Sequence, residues 1–189
     1  MASLEPVDAN SSDPALAPVF DNFRDAGRNV PLLYRLLGNA PAMLDAWVGM
    51  AWPLRSEPTT SRALRELQIM RVALLTEASM EWHSHWPAAI AAGASEAQLR
   101  DLGNPETSEL FDPGAKAALK CTEEIITLGG ASEEGMKELR RHFDDGECVE
   151  LILTASFYAC VSATIHSLAI HAPADSEPLA VFQELIEQC

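Results

Sequence analysis

Residues 65–93 concentrate ionisable side chains within an otherwise apolar pattern. Glu66, Glu81 and His85 stand out, because buried charges are costly unless they are paired or take part in chemistry. Glu81 and His85 are four residues apart, so a helix would place them on one face, about 6 Å apart at Cβ. A carboxylate so placed can orient an imidazole, fix its tautomer and raise its pKa. The spacing predicts a general acid/base pair, although it is equally typical of a surface ion pair.

His83 lies two residues before His85, which gives the pattern His-x-His. On a strand the two imidazoles would face one way and could share a metal ion, but on a helix they diverge by about 200°. Because the segment has a helical pattern, we expect no metal site here and interpret His83 as a neighbour of the site or an exposed residue. Trp82 and Trp86 could wall a dry pocket, although aromatic residues at helical spacing are more often core.

Other polar side chains stand in apolar helical patterns and could contact a substrate. Arg71 follows Glu66 by just over one turn, and it either pairs with a carboxylate or faces a pocket. Tyr158 and His166 are eight residues apart, on nearly the same face of one helix. His166 is either a satisfied core residue or part of the same pocket. The candidate substrate contacts are Arg71, His166, Trp82, Tyr158 and His83.

Helical periodicity runs through most of the chain and places these side chains on helices. Residues 61–75 and 148–170 have wide apolar faces, which predict buried helices. Since no segment has the turn chemistry of a β-hairpin, we predict one all-α domain over residues 19–189, with about seven to nine helices. Residues 1–18 are rich in Pro, Ser, Asp and Ala, which predicts a flexible arm or an irregular packed segment.

Charge and composition narrow the class of partner. The chain has 13 Lys and Arg against 28 Asp and Glu, a net charge of −15, and a basic footprint for nucleic acid or an anionic membrane is therefore missing. We find no signal-peptide pattern and no apolar run of the ~18 residues that a membrane span needs. The four cysteines form no CxxC and are interpreted as reduced thiols. We expect a cytoplasmic protein whose partner is a small molecule.

At these residues the chain resembles the carboxymuconolactone decarboxylase / AhpD-like family, over residues 29–173. The resemblance is carried by RELQIMRVALLTEASMEWHSHWPAAIAAGAS, FDPGAKAALK and VELILTASFYACVSATIHSLAI. In the peroxidase-like branch the first segment holds a glutamate, a CxxC and then a histidine. Glu66 and His85 match the glutamate and the histidine, but Ala78 and Glu81 stand at the cysteine positions. The dithiol is absent, which disfavours thiol peroxidase or disulfide reductase activity.

The resemblance implies an AhpD-like helical bundle that forms homo-oligomers: dimers, trimers or hexamers. It also implies acid/base chemistry without a cofactor on a small carboxylated lactone or keto acid. In this hypothesis His85 is the general acid/base, Glu81 orients it and Glu66 positions the site or shuttles the proton. Arg71 or His166 would hold a carboxylate or a developing enolate.

Two alternatives remain open at this level. One is a degenerate family member that binds a ligand without catalysis. The other is a redox protein that uses Cys148 or Cys160, for which the spacing offers no resolving thiol.

Overall fold

The computed structural model describes residues 4–188, and all regular secondary structure in that range is helical. The prediction of an all-α fold is confirmed. The described range holds ten helices, one more than the upper end of the predicted number. They are α1 Ala17–Asp25, α2 Leu32–Leu37, α3 Pro41–Ser56, α4 Arg62–Leu75, α5 Ser79–Ala91, α6 Glu96–Arg100, α7 Pro113–Leu128, α8 Glu133–Leu139, α9 Asp145–Ser167 and α10 Glu177–Gln188.

Helix α4 is the central element, and α5, α7 and α9 pack around it. It begins at the predicted place, because the Ser61 side chain caps it by accepting a hydrogen bond from the Leu64 backbone N–H. Residues 65–74 are all buried, although Arg65, Glu66, Gln68 and Arg71 are among them. Burial on every side therefore brings polar groups of α4 into the interior, where each needs a partner.

Helix α9 is the longest helix of the described residues and supplies the opposite side of the same core. It begins three residues earlier than predicted, because Asp144 and Glu147 form a capping box at its N-terminus. Contrary to the expectation that no apolar run reaches the length of a membrane span, α9 is long and apolar enough by length and composition alone. Half of that apolar stretch is nevertheless buried within the fold. This burial is typical of the core helix of a soluble domain.

Helices α4 and α5 are joined by a three-residue turn in which Glu77 adopts a left-handed backbone conformation, with φ of 55°. The turn folds α5 back onto α4, so that residues 19 positions apart in the chain can meet. Pro87 lies within α5, and the helix continues past it to Ala91.

The segment before α1 packs against the helices that follow it. The Val7 backbone N–H donates to the Arg35 carbonyl at 3.1 Å, and the Arg35 Nε–H donates to the Val7 carbonyl at 2.8 Å. Leu16 is fully enclosed by the core formed with α1, α2 and α3. Of the two alternatives for residues 1–18, these contacts correspond to an irregular packed segment. Residues 1–3 of that segment and residue 189 lie outside the described range.

Candidate functional site

A cavity of about 360 Å³ opens between α5 and α9 and is closed by residues of α1, α2, α3 and α4. Its volume is in the range of small-molecule sites. Its walls are largely apolar, with aliphatic and aromatic side chains, while Glu81, Ser84 and His85 of α5 and three arginines supply polar groups. The aromatic lining residues are Phe23, Tyr34, Trp47, Phe157 and Tyr158, and the arginines are Arg28, Arg55 and Arg62.

The imidazole of His85 is held from behind by Glu66. His85 Nδ1 lies 2.7 Å from Glu66 Oε2, and both side chains are buried. The other oxygen of Glu66 accepts a hydrogen bond from Arg62, one helical turn earlier. A carboxylate at Nδ1 fixes the tautomer with the proton on Nδ1, so that Nε2 points towards the cavity side.

Glu81 faces the other nitrogen of the same ring. Its Oε2 lies 3.3 Å from His85 Nε2, but the geometry is not that of a hydrogen bond, and this buried oxygen has no hydrogen-bond partner among the described residues. Glu81 was expected to orient His85. In the structure Glu66 holds that position at Nδ1, and Glu81 lies beside Nε2.

The pKa values of the two carboxyl groups are moved in opposite directions. Burial raises the pKa of Glu81, and the charges of His85 and Arg55 only partly offset this effect. Burial would also raise the pKa of Glu66, but the hydrogen bond and charge of His85, together with Arg62, lower it instead. Two carboxyl groups whose pKa values are shifted in opposite directions can take different roles in proton transfer.

Tyr158, one of the expected substrate contacts, lines the cavity. Its ring packs edge-on against the His85 ring, with the ring centroids 5.0 Å apart, and its hydroxyl accepts from Arg55 Nε at 3.4 Å. Burial raises the pKa of Tyr158 to about 12, despite the opposing effect of Arg55. The phenol is therefore neutral near pH 7 and can donate its own proton in a hydrogen bond.

Arg71, which was expected to contact substrate, lies away from this cavity. Its guanidinium donates to the Leu102 carbonyl at 2.6 Å and pairs with Glu123 at 2.8 Å. Arg71 thus ties α4 to α7 and to the segment after α6. We no longer assign it to substrate binding at this cavity.

Three further expected contacts are also absent from the lining of the cavity. Trp82 is fully buried in another core, where its Nε1–H donates to the Pro178 carbonyl at 2.8 Å. His166 is exposed, and its Nε2 lies 2.7 Å from the Thr76 carbonyl oxygen. His83 is half-buried, and its Nδ1 has no hydrogen-bond partner among the described residues. All three side chains lie on helices, as their spacing predicts, but spacing along one helix holds no information about which neighbour a side chain faces.

Two arginines of the site were missed by the sequence analysis. Arg62 stands four residues before Glu66, and the i,i+4 rule that selected Glu81 and His85 could have found it. Arg55 contacts Tyr158 across 103 positions of sequence, and no local pattern indicates that contact.

The described cysteines stand apart from this site and none of them forms a disulfide. Cys121 and Cys148 are buried, whereas Cys160 is exposed. Burial raises the pKa of Cys121 to about 11, with smaller effects from Glu124 and Cys148, so its thiol stays protonated near neutral pH.

The model of the carboxymuconolactone decarboxylase family matches residues 41–124, a range that contains Glu66, Glu81 and His85. Over these residues, somewhat less than half of its length, the chain is similar to the carboxymuconolactone decarboxylase family. No curated protein matches the chain. The family match begins after α1 and α2 and ends before α9, so it does not include Tyr158.

Solved structures share the AhpD-like fold at low sequence identity. The debrominase Bmp8 in complex with 2,3,4-tribromopyrrole has a TM-score of 0.74 and 15% identity, covering 97% of this chain and 95% of its own. An uncharacterized peroxidase-related protein from Silicibacter sp. has a TM-score of 0.74 and 18% identity, covering 93% and 96%. A putative antioxidant defence protein AhpD from Agrobacterium tumefaciens has a TM-score of 0.67 and 16% identity, covering 74% and 96%.

The raised pKa of Glu81 has a consequence for stability. A carboxyl whose pKa is higher in the folded than in the unfolded state favours folding at low pH, and this contribution is lost as pH rises through the folded-state pKa. Between the unfolded-state and the folded-state pKa, each pH unit lowers the free energy of unfolding by about 1.4 kcal/mol. The side chain of Glu81→Gln cannot ionise, so this variant does not lose stability in that way. The free energy of unfolding of Glu81→Gln should therefore increase relative to that of the wild type as pH rises from about 4 to 8.

Urea unfolding of the Glu81→Gln protein at several pH values measures this effect. Glu109→Gln, at an exposed position, is the matched control and should follow the wild type. If the free energies of unfolding of the wild type and of Glu81→Gln change in parallel with pH, burial does not hold a proton on Glu81.

Proposed function

We propose that this chain is a cofactor-independent acid/base enzyme resembling carboxymuconolactone decarboxylase. It decarboxylates, or isomerises by proton transfer, a small carboxylated lactone or keto acid. The observation that carries the proposal is the buried 2.7 Å contact between Glu66 and His85 Nδ1, with His85 lining a cavity of ligand size. We further propose that it acts in the cytoplasm as a homo-oligomer.

For decarboxylation, the bond between the carboxyl carbon and the adjacent carbon breaks, and its electron pair passes into the neighbouring carbonyl to form an enolate. CO₂ leaves, and the imidazolium of His85 delivers the Nε2 proton to the carbon. Glu66 stabilises the imidazolium before transfer, and solvent restores the proton afterwards. Glu81, while it holds its own proton, can donate a hydrogen bond to the enolate oxygen.

For isomerisation, neutral His85 Nε2 takes a proton from one carbon of the substrate and returns it to another. The same enolate lies between the two steps, so the same groups serve both reactions. General acid/base transfer of this kind contributes about 10²–10⁴ in rate. The debrominase among the structural neighbours supports an enzymatic use of this fold on a small organic molecule.

Exposed apolar side chains support the proposed homo-oligomer. Val149 and Leu153, four residues apart, are exposed on α9, and Met43 and Met50 are exposed on α3. A subunit contact over either pair would remove its apolar surface from water.

The test is CO₂ release and solvent-deuterium incorporation on a panel of carboxylated lactones and keto acids. We expect turnover by the wild type, background rates for His85→Gln, and wild-type rates for His166→Gln, whose imidazole lies outside the cavity. Equal turnover by wild type and His85→Gln would contradict the proposal. Binding of panel compounds without turnover would favour a non-catalytic ligand-binding protein.

A further inference from the structure

Helix α9 carries a stripe of exposed side chains on the side that does not line the cavity. Its members recur at alternating intervals of four and three positions, and they are Val149, Leu153, Ser156, Cys160, Ala163 and Ser167. This spacing, about 3.5 residues on average, is the one that keeps a single seam of a helix against a second helix. Because all six residues are exposed, nothing within residues 4–188 covers this α9 stripe.

The α9 stripe is uncharged, although the chain is strongly acidic. Between Glu150 and Asp175 the sequence has no Asp, Glu, Lys or Arg, whereas the whole chain has a net charge of −15. Two copies of such a chain repel each other over most of their surfaces, so an uncharged face is where they can meet with least repulsion. The same face offers no charged group to a partner such as a nucleic acid. The charge pattern therefore favours a second copy of this chain as the occupant.

The sizes of the side chains make the α9 stripe complementary to itself. Its large members, Val149 and Leu153, lie near the N-terminal end of α9, and the small Ala163 and Ser167 lie near the C-terminal end. When two copies run antiparallel about a two-fold axis, Leu153 meets Ala163 of the second copy and Val149 meets its Ser167. Each large side chain then meets a small one, which is how facing helices interlock. A parallel pair would set large against large and leave gaps between the small side chains.

An apolar groove of about 480 Å³ lies beside the small half of the α9 stripe. Cys160, Ala163 and Ser167 line it from α9, and residues of α2 and α3 line it from the other side. Met43 of α3, which is 63% exposed, adds apolar surface to this groove. None of the described residues that line the groove is charged. Since Ala163 lines the groove, Leu153 of a second copy that meets Ala163 also reaches it.

The charges at the two ends of α9 favour the antiparallel direction as well. Asp145 and Glu147 make its first turn acidic, while its last turn carries His166 and no carboxylate. A parallel pair would bring the two acidic ends together. An antiparallel pair separates them by the length of the stripe, ~27 Å at 1.5 Å per residue. This distance exceeds the Debye length of about 8 Å at physiological ionic strength, so the repulsion is largely screened.

We propose that two copies of this chain pair through the α9 stripe, with their α9 helices antiparallel and Leu153 of each copy at the groove of the other. This inference rests on the homo-oligomer of the proposed function and names its contact surface. The midpoint of the stripe is level with Tyr158, whose side chain lines the cavity from the buried side of α9. The pair therefore supports from behind the helix that carries Tyr158.

Cross-linking tests both the surface and its direction, because the antiparallel pair sets Ser156 opposite Cys160 of the second copy. In a Cys189→Ser background, most of the Ser156→Cys protein should become a covalent dimer with oxidised glutathione, as measured by non-reducing electrophoresis. Ser156→Cys/Cys160→Ser lacks the opposite thiol and should form no such dimer, since thiols whose Cα atoms are more than about 7 Å apart cannot be bridged. Glu109→Cys, at an exposed position off the stripe, is the control and should not cross-link.

Sedimentation velocity of variants without added cysteines measures the strength of the contact. Leu153→Arg puts a charge into the contact of each copy and should raise the dissociation constant of the dimer about 10²-fold. Ala163→Glu, at an exposed position of the small half, should do the same and provides a second variant if Leu153→Arg does not fold. Leu128→Arg is the control, because Leu128 is 70% exposed on α7 and lies off the stripe.

The outcomes separate this contact from the rest of the proposed function. A monomeric wild type overturns the contact and the homo-oligomer together. An oligomer that Leu153→Arg and Ala163→Glu leave intact, or a Ser156→Cys/Cys160→Ser protein that still cross-links, overturns the antiparallel α9 contact and leaves the homo-oligomer standing. His85→Gln should assemble as the wild type does although it loses turnover, so failure of the acid/base proposal is read independently.

Discussion

Replacement of Glu66 by glutamine is expected to lower kcat on the turnover substrate by about 10²–10⁴-fold, nearly as much as the loss of His85. Glu66 lies behind the imidazole, 2.7 Å from Nδ1, and is completely enclosed. A neutral amide there can no longer stabilise the imidazolium, and it can present its NH₂ group to Nδ1 and so favour the wrong tautomer. Because Glu66 does not line the cavity, KM should change little.

Steady-state kinetics of Glu66→Gln across a pH series measures this effect. Glu123→Gln is the matched control, because Glu123 also pairs with a buried arginine of α4, Arg71, but outside the cavity. It should keep the wild-type kcat and pH profile. If the Glu66→Gln enzyme has the wild-type kcat and pH profile, the proposed acid/base role of the Glu66–His85 pair is wrong.

Trp82→Ala is expected to give the largest loss of stability, about 3–5 kcal/mol in the free energy of unfolding. Trp82 is 0% exposed and packs against Phe182 of α10, with ring centroids 5.5 Å apart. Its Nε1–H also donates to the Pro178 carbonyl at 2.8 Å, so one side chain fastens α5 to α10. Removal of the indole leaves a cavity and frees the start of α10.

Urea unfolding gives the free energy, and amide hydrogen exchange locates the effect. We expect exchange in α10 to increase most. Trp86→Ala is the control, since Trp86 packs on Trp82 but is only partly buried. A loss for Trp82→Ala no greater than that for Trp86→Ala would show that Trp82 does not fasten α10.

The sequence predicted the helices well because their apolar faces are wide and their ends carry recognisable caps. Residues 61–75 became α4, and Ser61 caps it as the pattern of polar and apolar residues indicates. The structure adds α10 to the predicted number of helices. It is a short amphipathic helix whose Val181, Phe182 and Leu185 are buried against the core around Trp82.

Only part of the expected set of side chains lies together. Glu81, His85 and Tyr158 line the cavity and Glu66 lies behind His85, whereas the other expected residues, Arg71, Trp82, His83 and His166, lie elsewhere. The i,i+4 spacing correctly brought Glu81 near His85, yet spacing cannot decide which nitrogen a carboxylate meets. That choice depends on how α5 folds back on α4, which brings Glu66 to Nδ1 from 19 residues away. The contact between Arg55 and Tyr158 depends on the packing of α3 against α9, and local periodicity holds no information about it.

The central claim is that Glu66 holds the Nδ1 proton of His85 and leaves Nε2 to exchange protons in the cavity. Long-range ¹H–¹⁵N spectra of histidine-labelled protein over a pH series test it directly, with the His85 signals assigned by their loss in His85→Gln. We expect Nδ1 to stay protonated throughout the series while Nε2 alone gains and loses its proton. Deprotonation of Nδ1, with the proton retained on Nε2, would contradict the account.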